Sequence, residues 1–421
     1  MQTPVWEIEP TTLDRPLLVH VNATATGGGV SELIRGLLRH QPAGWAVIAG
    51  NPAFYEVTKY LHLLLHGHAD PTVLDDPETM RVYRSALAPQ TRWFAERLRP
   101  GDVAVLHDPQ TLGLAPALRA AGVRVVWHCH IGAVVAPERG PGAFWRAFRA
   151  ELVALDAVVT TLPEFAPPNV RELFVVTPAV DPEALKNREL AADEVASVLA
   201  TAGLTADGGT AGVTVVQERP LPPDARVVLQ VSRWDPLKDM PGVVRCVVGL
   251  PADVHLVLAG TDPADIADDP DGLAVFEEVR RLLAELPAHD RARVHLVTLS
   301  LTRPDLNALV VNALQRRADV VLQKSLEEGF GLTVTEAMVK GRPVVASAVG
   351  GLRHQVTDGH NGLLVDPVDL PAVRAALVRL LDDPELGRTL GERARRTVLE
   401  RYTMRRLAED YLKIVGTPSG R

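Results

Sequence analysis

The sequence has almost no cysteine, no long apolar run and no excess of positive charge, and each lack removes a class of protein. Two cysteines in 421 residues, Cys129 and Cys246, do not make a disulfide framework. No uninterrupted apolar run is long enough to span a bilayer. The opening MQTPVWEIEP has neither the basic nor the apolar region of a signal peptide. The expected location is therefore the reducing cytoplasm, with no membrane partner. A net charge of -8 argues against a phosphate-backbone binder, so no nucleic-acid partner is expected, although one small anion could still be held locally. Short-period repeats and low-complexity tracts are missing. No Asp-x-Asp metal site stands out, because DDPD at 268–271 reads as a solvated acidic loop.

What is present is a strand–helix alternation that occurs twice. Hydrophobic residues make up 47% and charged residues 23% of the chain, as in a soluble globular protein, and its length exceeds one ordinary core. Apolar runs at 16–22, 45–50, 102–108, 123–131, 156–161 and 173–178 read as strands in the first half. Runs at 226–232, 254–260, 293–299, 318–324, 342–348 and 362–367 do so in the second. They are rich in Val, Leu and Ile on both faces, the pattern of parallel strands covered by helices. Helical spacing fills the intervals, as in VSELIRGLLRHQ and LNALVVNALQRR. The expected fold class is α/β, with two Rossmann-like doubly wound domains facing a central cleft. The break at 180–225, dense in Pro and Gly, is expected to be a linker or variable surface segment. The domains are placed at 1–179 and 180–402, with a final helix at 403–421 packing back on the first.

The stretch LEEGFGLTVTEAM (326–338) sets Glu328 and Glu336 around a Gly329-Phe330-Gly331 turn that opens a helix. Free amides of Gly331, Leu332 and Thr333 suit a phosphate, and carboxylates suit pairs of hydroxyls. A nucleotide sugar offers a diphosphate for the amides, a ribose for one Glu and a hexose for the other. The alternative is a helix whose acidic residues merely suit its dipole. Arg233 and Lys238 follow the strand at 226–232 and can neutralise a diphosphate, unless they are ordinary loop cations.

SRWDPLKD, LAGTD, ADVVLQKSLEEGFGLTVTEAMVKGRPVVASAVGG and DGHNGLLVDP together resemble the donor domain of retaining glycosyltransferases with the GT-B fold (glycosyltransferase family 4). The resemblance implies that Glu328 and the amides from Gly329 to Thr333 hold the donor sugar. It implies that Glu336 holds the ribose, and Arg233 and Lys238 the diphosphate.

In the first half, Gly27, Gly28 and Gly29 allow close approach of backbone to a ligand, or make a plain turn. The family context directs this loop to the donor phosphates and the acceptor. His128 and His130 share one face of a strand, where both are candidates to meet the acceptor. A metal pair there lacks a third ligand at readable spacing, so no metal is expected. His107 and Asp108 end another strand and either bind acceptor hydroxyls or cap a turn. GNPAFYEVTKYLHLLLHG, HDPQTLGL, VVWHCHIG and LPEF resemble trehalose synthases of the glycosyltransferring type. That resemblance implies that His130 contacts the donor sugar near the reaction centre. It implies a donor of nucleoside-diphosphate glucose (UDP, ADP or GDP), glucose as acceptor, no required cofactor, and an α,α-1,1 product formed with retention. The family pattern leads one to expect Arg at His128, Asp at Gly132 and an aromatic near Ala25 and Thr26. These departures fall on the acceptor side and leave an amino-sugar or aminocyclitol acceptor open. A trehalose phosphorylase-like enzyme and a non-catalytic sugar-nucleotide sensor are the other readings. A homodimer is left open as the form of assembly.

Overall fold

The computed structural model describes residues 3–10, 13–25, 29–133, 135, 136, 138, 140–206, 208–265 and 270–416. The chain divides into two compact units, Met1–Ala179 with Met404–Arg421, and Val180–Thr403. No helix among the described residues is long and apolar enough to cross a membrane.

The first unit is built on a seven-stranded sheet of β1 (Val5–Ile8), β2 (Leu18–Asn22), β3 (Gly44–Val47), β4 (Val103–His107), β5 (Arg124–Cys129), β6 (Ala157–Thr160) and β7 (Leu173–Val175). The spatial order is β1-β3-β2-β4-β5-β6-β7. All pairs are parallel except β1 with β3. Alternate residues feed two cores. Val19, Leu106 and Trp127 pack with Phe54, Tyr83 and Phe144 on one face. Val105, Val126 and Val159 pack with Leu33, Leu37, Leu407 and Tyr411 on the other. The last two come from the helix Met404–Gly416, whose buried residues Met404, Leu407, Ala408, Tyr411 and Ile414 form one helical stripe.

The second unit repeats the plan with β8 (Val213–Val216), β9 (Arg226–Val231), β10 (Val254–Thr261), β11 (Val294–Leu299), β12 (Val320–Gln323), β13 (Val344–Ser347) and β14 (Leu363–Val365). Its order is β14-β13-β12-β9-β10-β11-β8, antiparallel only at β8. Val227, Leu229 and Val231 point to the helices Pro304–Arg317 and Leu332–Val339, while Val228 points to Met240–Val247 and Leu370–Asp382. Among the parallel strands of each sheet the chain reverses its direction of travel once, between β2 and β4 and between β9 and β12. Ligands of such sheets bind at the carboxyl ends of the strands flanking that reversal.

All twelve expected strands are present, and β1 and β8 are additional. Both are short antiparallel edge strands, and β1 is mostly exposed, so neither shows a continuous buried run. The expectation of a linker over 180–225 is corrected. Leu190, Leu199, Leu204 and Leu221 are core residues, the helix Ala192–Thr201 packs on Pro304–Arg317, and β8 pairs with β11. The Pro and Gly residues there mark tight turns between buried anchors, with Gly203 and Gly212 at positive φ.

Candidate functional site

In the second unit the loops after β9 and β12 are tied to each other before any ligand is considered. Lys238 Nζ donates to Glu328 Oε2 at 2.8 Å, and Ser325 Oγ lies 3.2 Å from the same oxygen. Neither partner of the pair is far from buried, at 15% and 12% side-chain exposure, so the charges attract with little screening by water. Behind them, Gln230 of β9 donates to the Lys238 carbonyl at 2.9 Å and accepts from the Lys324 amide at 2.8 Å. The amide of Leu326 reaches the Leu237 carbonyl. Lys324 is buried and ion-paired with Asp239, whose other oxygen caps the helix Met240–Val247 through the Gly242 amide. Arg233 is placed differently. It is 60% exposed and donates to Asp235, so the structure does not bring it to the Lys238–Glu328 pair.

The turn after Glu328 depends on glycine, by the dihedral at Gly331 and by the close backbone approach of Gly350 and Gly351. Gly331 has φ +91 and opens the helix Leu332–Val339, whose first amides precede any intrahelical acceptor. Thr333 Oγ1 donates to Gln323 at 2.9 Å, which fixes the first turn to β12. Phe330 turns its ring into the core against Tyr402, so only its backbone borders the turn. The Gly350-Gly351 pair after β13 presses on the same loop. A Cβ at Gly350 would overlap the Glu328 carbonyl oxygen, and Gly351 donates its amide to that oxygen at 3.1 Å.

Glu336 is buried one turn into the helix, with Oε1 3.0 Å from Lys186 Nζ and Oε2 without a partner among the described residues. Lys340, one turn on, is also buried, and its Nζ donates to Asn187 Oδ1, Gln315 Oε1 and the Glu336 carbonyl at 2.9, 2.7 and 3.0 Å. Burial pulls its pKa down to about 7 against the opposing pull of Glu336, while three acceptors match the three hydrogens of an ammonium. Lys186, Asn187 and Lys340 were not singled out in the sequence. The first two lie in the segment taken for a linker, and the signal that would have found them is an apolar anchor, Leu190, beside a pair of cations.

In the first unit the carboxyl ends of β2, β4 and β5 gather histidines. His107 lies opposite His128 in the register of β4 and β5. His107 Nδ1 is 2.9 Å from His130 Nε2, and its Nε2 is 3.0 Å from Nδ1 of His20, a residue the sequence had not singled out. His128 Nδ1 bonds to Tyr411 Oη. Asp108, at φ +61, accepts the His130 amide at 2.8 Å. Burial lowers His20 and His130 to about 3 and holds His107 and His128 well below the ordinary imidazole value, so the rings are neutral at physiological pH. Burial raises Asp108 to about 7. Of the four residues expected to meet an acceptor, His107 and His128 are turned inward to other side chains, and Asp108 and His130 remain partly accessible. Gly29 begins the helix Gly29–Leu37, whereas Gly27 and Gly28 lie outside the described residues. Residues 268 and 269 of the acidic loop lie outside them as well, and Asp271 stands in the first turn of the helix Pro270–Glu285.

Two doubly wound α/β units with a lysine–carboxylate pair and a glycine turn at the switch point of the second are those of a GT-B glycosyltransferase. The fold matches that of a solved α,α-trehalose-phosphate synthase (UDP-forming) from Burkholderia xenovorans in complex with glucose-6-phosphate. The TM-score is 0.72 and the identity 19%, over 95% of this chain and 100% of that one. Residues 214–397 match the family described as Glycosyl transferases group 1, and residues 20–167 match Trehalose synthase, N-terminal domain. A trehalose synthase of Rubrobacter xylanophilus is 34% identical over 94% of this chain and 89% of its own length. The chain belongs to the trehalose synthase family. A trehalose phosphorylase of Grifola frondosa is 27% identical over 89% of this chain, which spans 53% of that larger protein.

Proposed function

We propose that the protein transfers glucose from a nucleoside-diphosphate glucose to a second glucose, with retention, giving an α,α-1,1-linked disaccharide. The observation that carries this reading is the Lys238–Glu328 pair beside the Gly329–Gly331 turn, at the switch point of the second sheet. In this reading the bond from the donor C1 to the phosphate oxygen breaks, and its electron pair stays with the diphosphate. Lys238, Arg233 and the amides of Gly331, Leu332 and Thr333 stabilise the developing charge. Arg233 must leave Asp235 to do so. Glu328 and the neighbouring Gly329 and Phe330 backbone hold hexose hydroxyls. Glu336 holds the ribose, which supplies a partner for the unpaired Oε2. The family resemblance assigns His130 to the sugar near C1, and Gly28 and Gly29 to the phosphates. The acceptor oxygen bonds to C1 from the face the diphosphate leaves and gives its proton to the departing phosphate oxygen. No cofactor enters this scheme. A cytoplasmic location belongs to the same proposal and is supported by two buried free thiols, Cys129 and Cys246.

One observation favours a second reading, the same chemistry on an amino-sugar or aminocyclitol acceptor. Gly132 stands where the family pattern has Asp, and a Cβ there would overlap the Phe165 ring, so the acceptor side has closed over that position. The deciding experiment incubates the protein with UDP-, ADP- or GDP-glucose, or with glucose-1-phosphate, with and without glucose, and identifies products by mass spectrometry and NMR. A non-reducing disaccharide formed only with glucose is the expected result. Donor binding without transfer to glucose moves the assignment to the second reading. Product formed from glucose-1-phosphate but from no nucleotide sugar establishes a phosphorylase instead. Failure to bind any nucleotide sugar overturns the roles given to Glu328, Glu336, Lys238 and Arg233.

A further inference from the structure

We infer that His107, His128 and His130 form a binding site for one divalent transition ion of the zinc class. Each ring offers one nitrogen, and the three nitrogens lie within 4.8 Å of one another. Zinc–imidazole bonds of about 2.0–2.1 Å place ligand nitrogens roughly 3.3 Å apart in a tetrahedral site. Small side-chain rotations close the remaining gap. The third ligand that sequence spacing did not reveal comes from the neighbouring strand, where His107 stands opposite His128.

A second observation is independent of that geometry. His128 is 1% exposed, and its Nε2 has no partner among the described residues, while Nδ1 is engaged by Tyr411 Oη. An unpaired buried polar atom is destabilising, and an ion that takes that nitrogen's lone pair removes the cost.

The outer contacts also admit the tautomers a metal needs. With His128 Nδ1–H donating to Tyr411, Nε2 carries a lone pair. With His107 Nε2–H donating to His20 Nδ1, the Nδ1 of His107 carries a lone pair facing His130 Nε2 at 2.9 Å. Such second partners are what orient metal-binding imidazoles. The ion takes the place of the proton between His107 and His130, and that proton moves to the far nitrogen of its own ring. Each imidazole keeps one hydrogen, so no proton is released. Three neutral nitrogen ligands and no thiolate favour zinc, cobalt, nickel or copper over magnesium or calcium. The Cys129 thiol is not part of the set, since it donates to the Ile131 carbonyl. The partly buried Asp108 carboxyl stands beside the cluster and accepts the His130 amide. None of this depends on the sugar-transfer reading.

The test uses full-length, tag-free protein stripped with a chelator and titrated with Co²⁺, whose tetrahedral complexes absorb visible light. One Co²⁺ per chain, displaced by an equivalent of Zn²⁺ and not by excess Mg²⁺, is expected. H107Q and H128Q, checked by circular dichroism for native structure, should each bind about 100-fold more weakly or worse. H130Q, at the most accessible of the three positions, serves where a buried variant fails to fold. The inference is overturned by wild-type protein that takes up no saturable equivalent of Co²⁺ or Zn²⁺. It is equally overturned if folded variants bind as tightly as wild type, which would assign the uptake to a surface histidine.

Discussion

Replacing Gly350 by alanine separates two costs that usually arrive together. The residue has φ +42, and a Cβ there would overlap the Glu328 carbonyl oxygen and lie 3.0 Å from its carbon. Gly359 in the same unit has φ +68 and nothing within 4 Å of its Cβ position. Both substitutions carry the left-handed backbone cost of about 1–2 kcal/mol. Only Gly350→Ala adds overpacking, about 1–3 kcal/mol, because a backbone oxygen cannot swing aside as a side chain can. A unit of this size loses about 2–4 °C of melting temperature per kcal/mol. Gly350→Ala should therefore melt about 2–12 °C below Gly359→Ala, by differential scanning calorimetry on the two variants side by side. The displaced atom belongs to Glu328, so nucleotide-sugar binding by isothermal titration calorimetry should weaken for Gly350→Ala and stay near wild type for Gly359→Ala. Equal melting temperatures for the two variants would refute the claim that the loop after β13 holds Glu328 in place.

Lys340 should leave a pH signature. Its folded pKa of about 7 lies below the ordinary lysine value of 10.5, so the unfolded chain binds its proton more tightly. The resulting penalty is full below about pH 7 and fades as pH rises toward 10.5, so this residue's contribution to stability improves across that window. The difference in melting temperature between wild type and Lys340→Met, followed from pH 7 to 10, should change with pH in that sense, and a flat difference would show that Lys340 is charged equally in both states. For activity, Lys238→Met should lower kcat by about 100-fold or more. Arg233→Met should cost less, since that guanidinium is exposed and engaged by Asp235. Steady-state kinetics giving the reverse order would place the diphosphate against Arg233 instead.

How much of this was legible depended on whether a residue's partners lie on the same or adjacent strands. The twelve parallel strands announced themselves as apolar runs, most of them buried on both faces, as in β9, where Val228 faces one core and Val227 and Leu229 the other. The edge strands β1 and β8 have no such signature. Glu328 and Lys238 were legible as neighbours because the switch-point rule brings the ends of β9 and β12 together. The same rule did not settle where Arg233 points, since Asp235, two residues on, competes for it. Lys186 meets Glu336 from a segment 150 residues earlier, a pairing no local pattern carries. His107 with His128 was within reach, because parallel strands β4 and β5 set the two side by side, but that register is fixed by packing rather than by spacing along the chain.

The helix Met404–Gly416 has a consequence for the order of events during synthesis. Residues up to Ala179 leave the ribosome without Leu407, Tyr411 and Ile414, which fill one of the two cores of their unit and supply the hydroxyl on His128. At about 5–20 residues per second, the roughly 220 residues that intervene take on the order of 10–45 s to appear. During that interval Val105, Val126 and Val159 have no cover from the C-terminal helix, while the whole of Val180–Thr403 has been delivered and is free to fold. The unit begun first is thus finished last, and the nascent chain is most in need of a chaperone between those two moments.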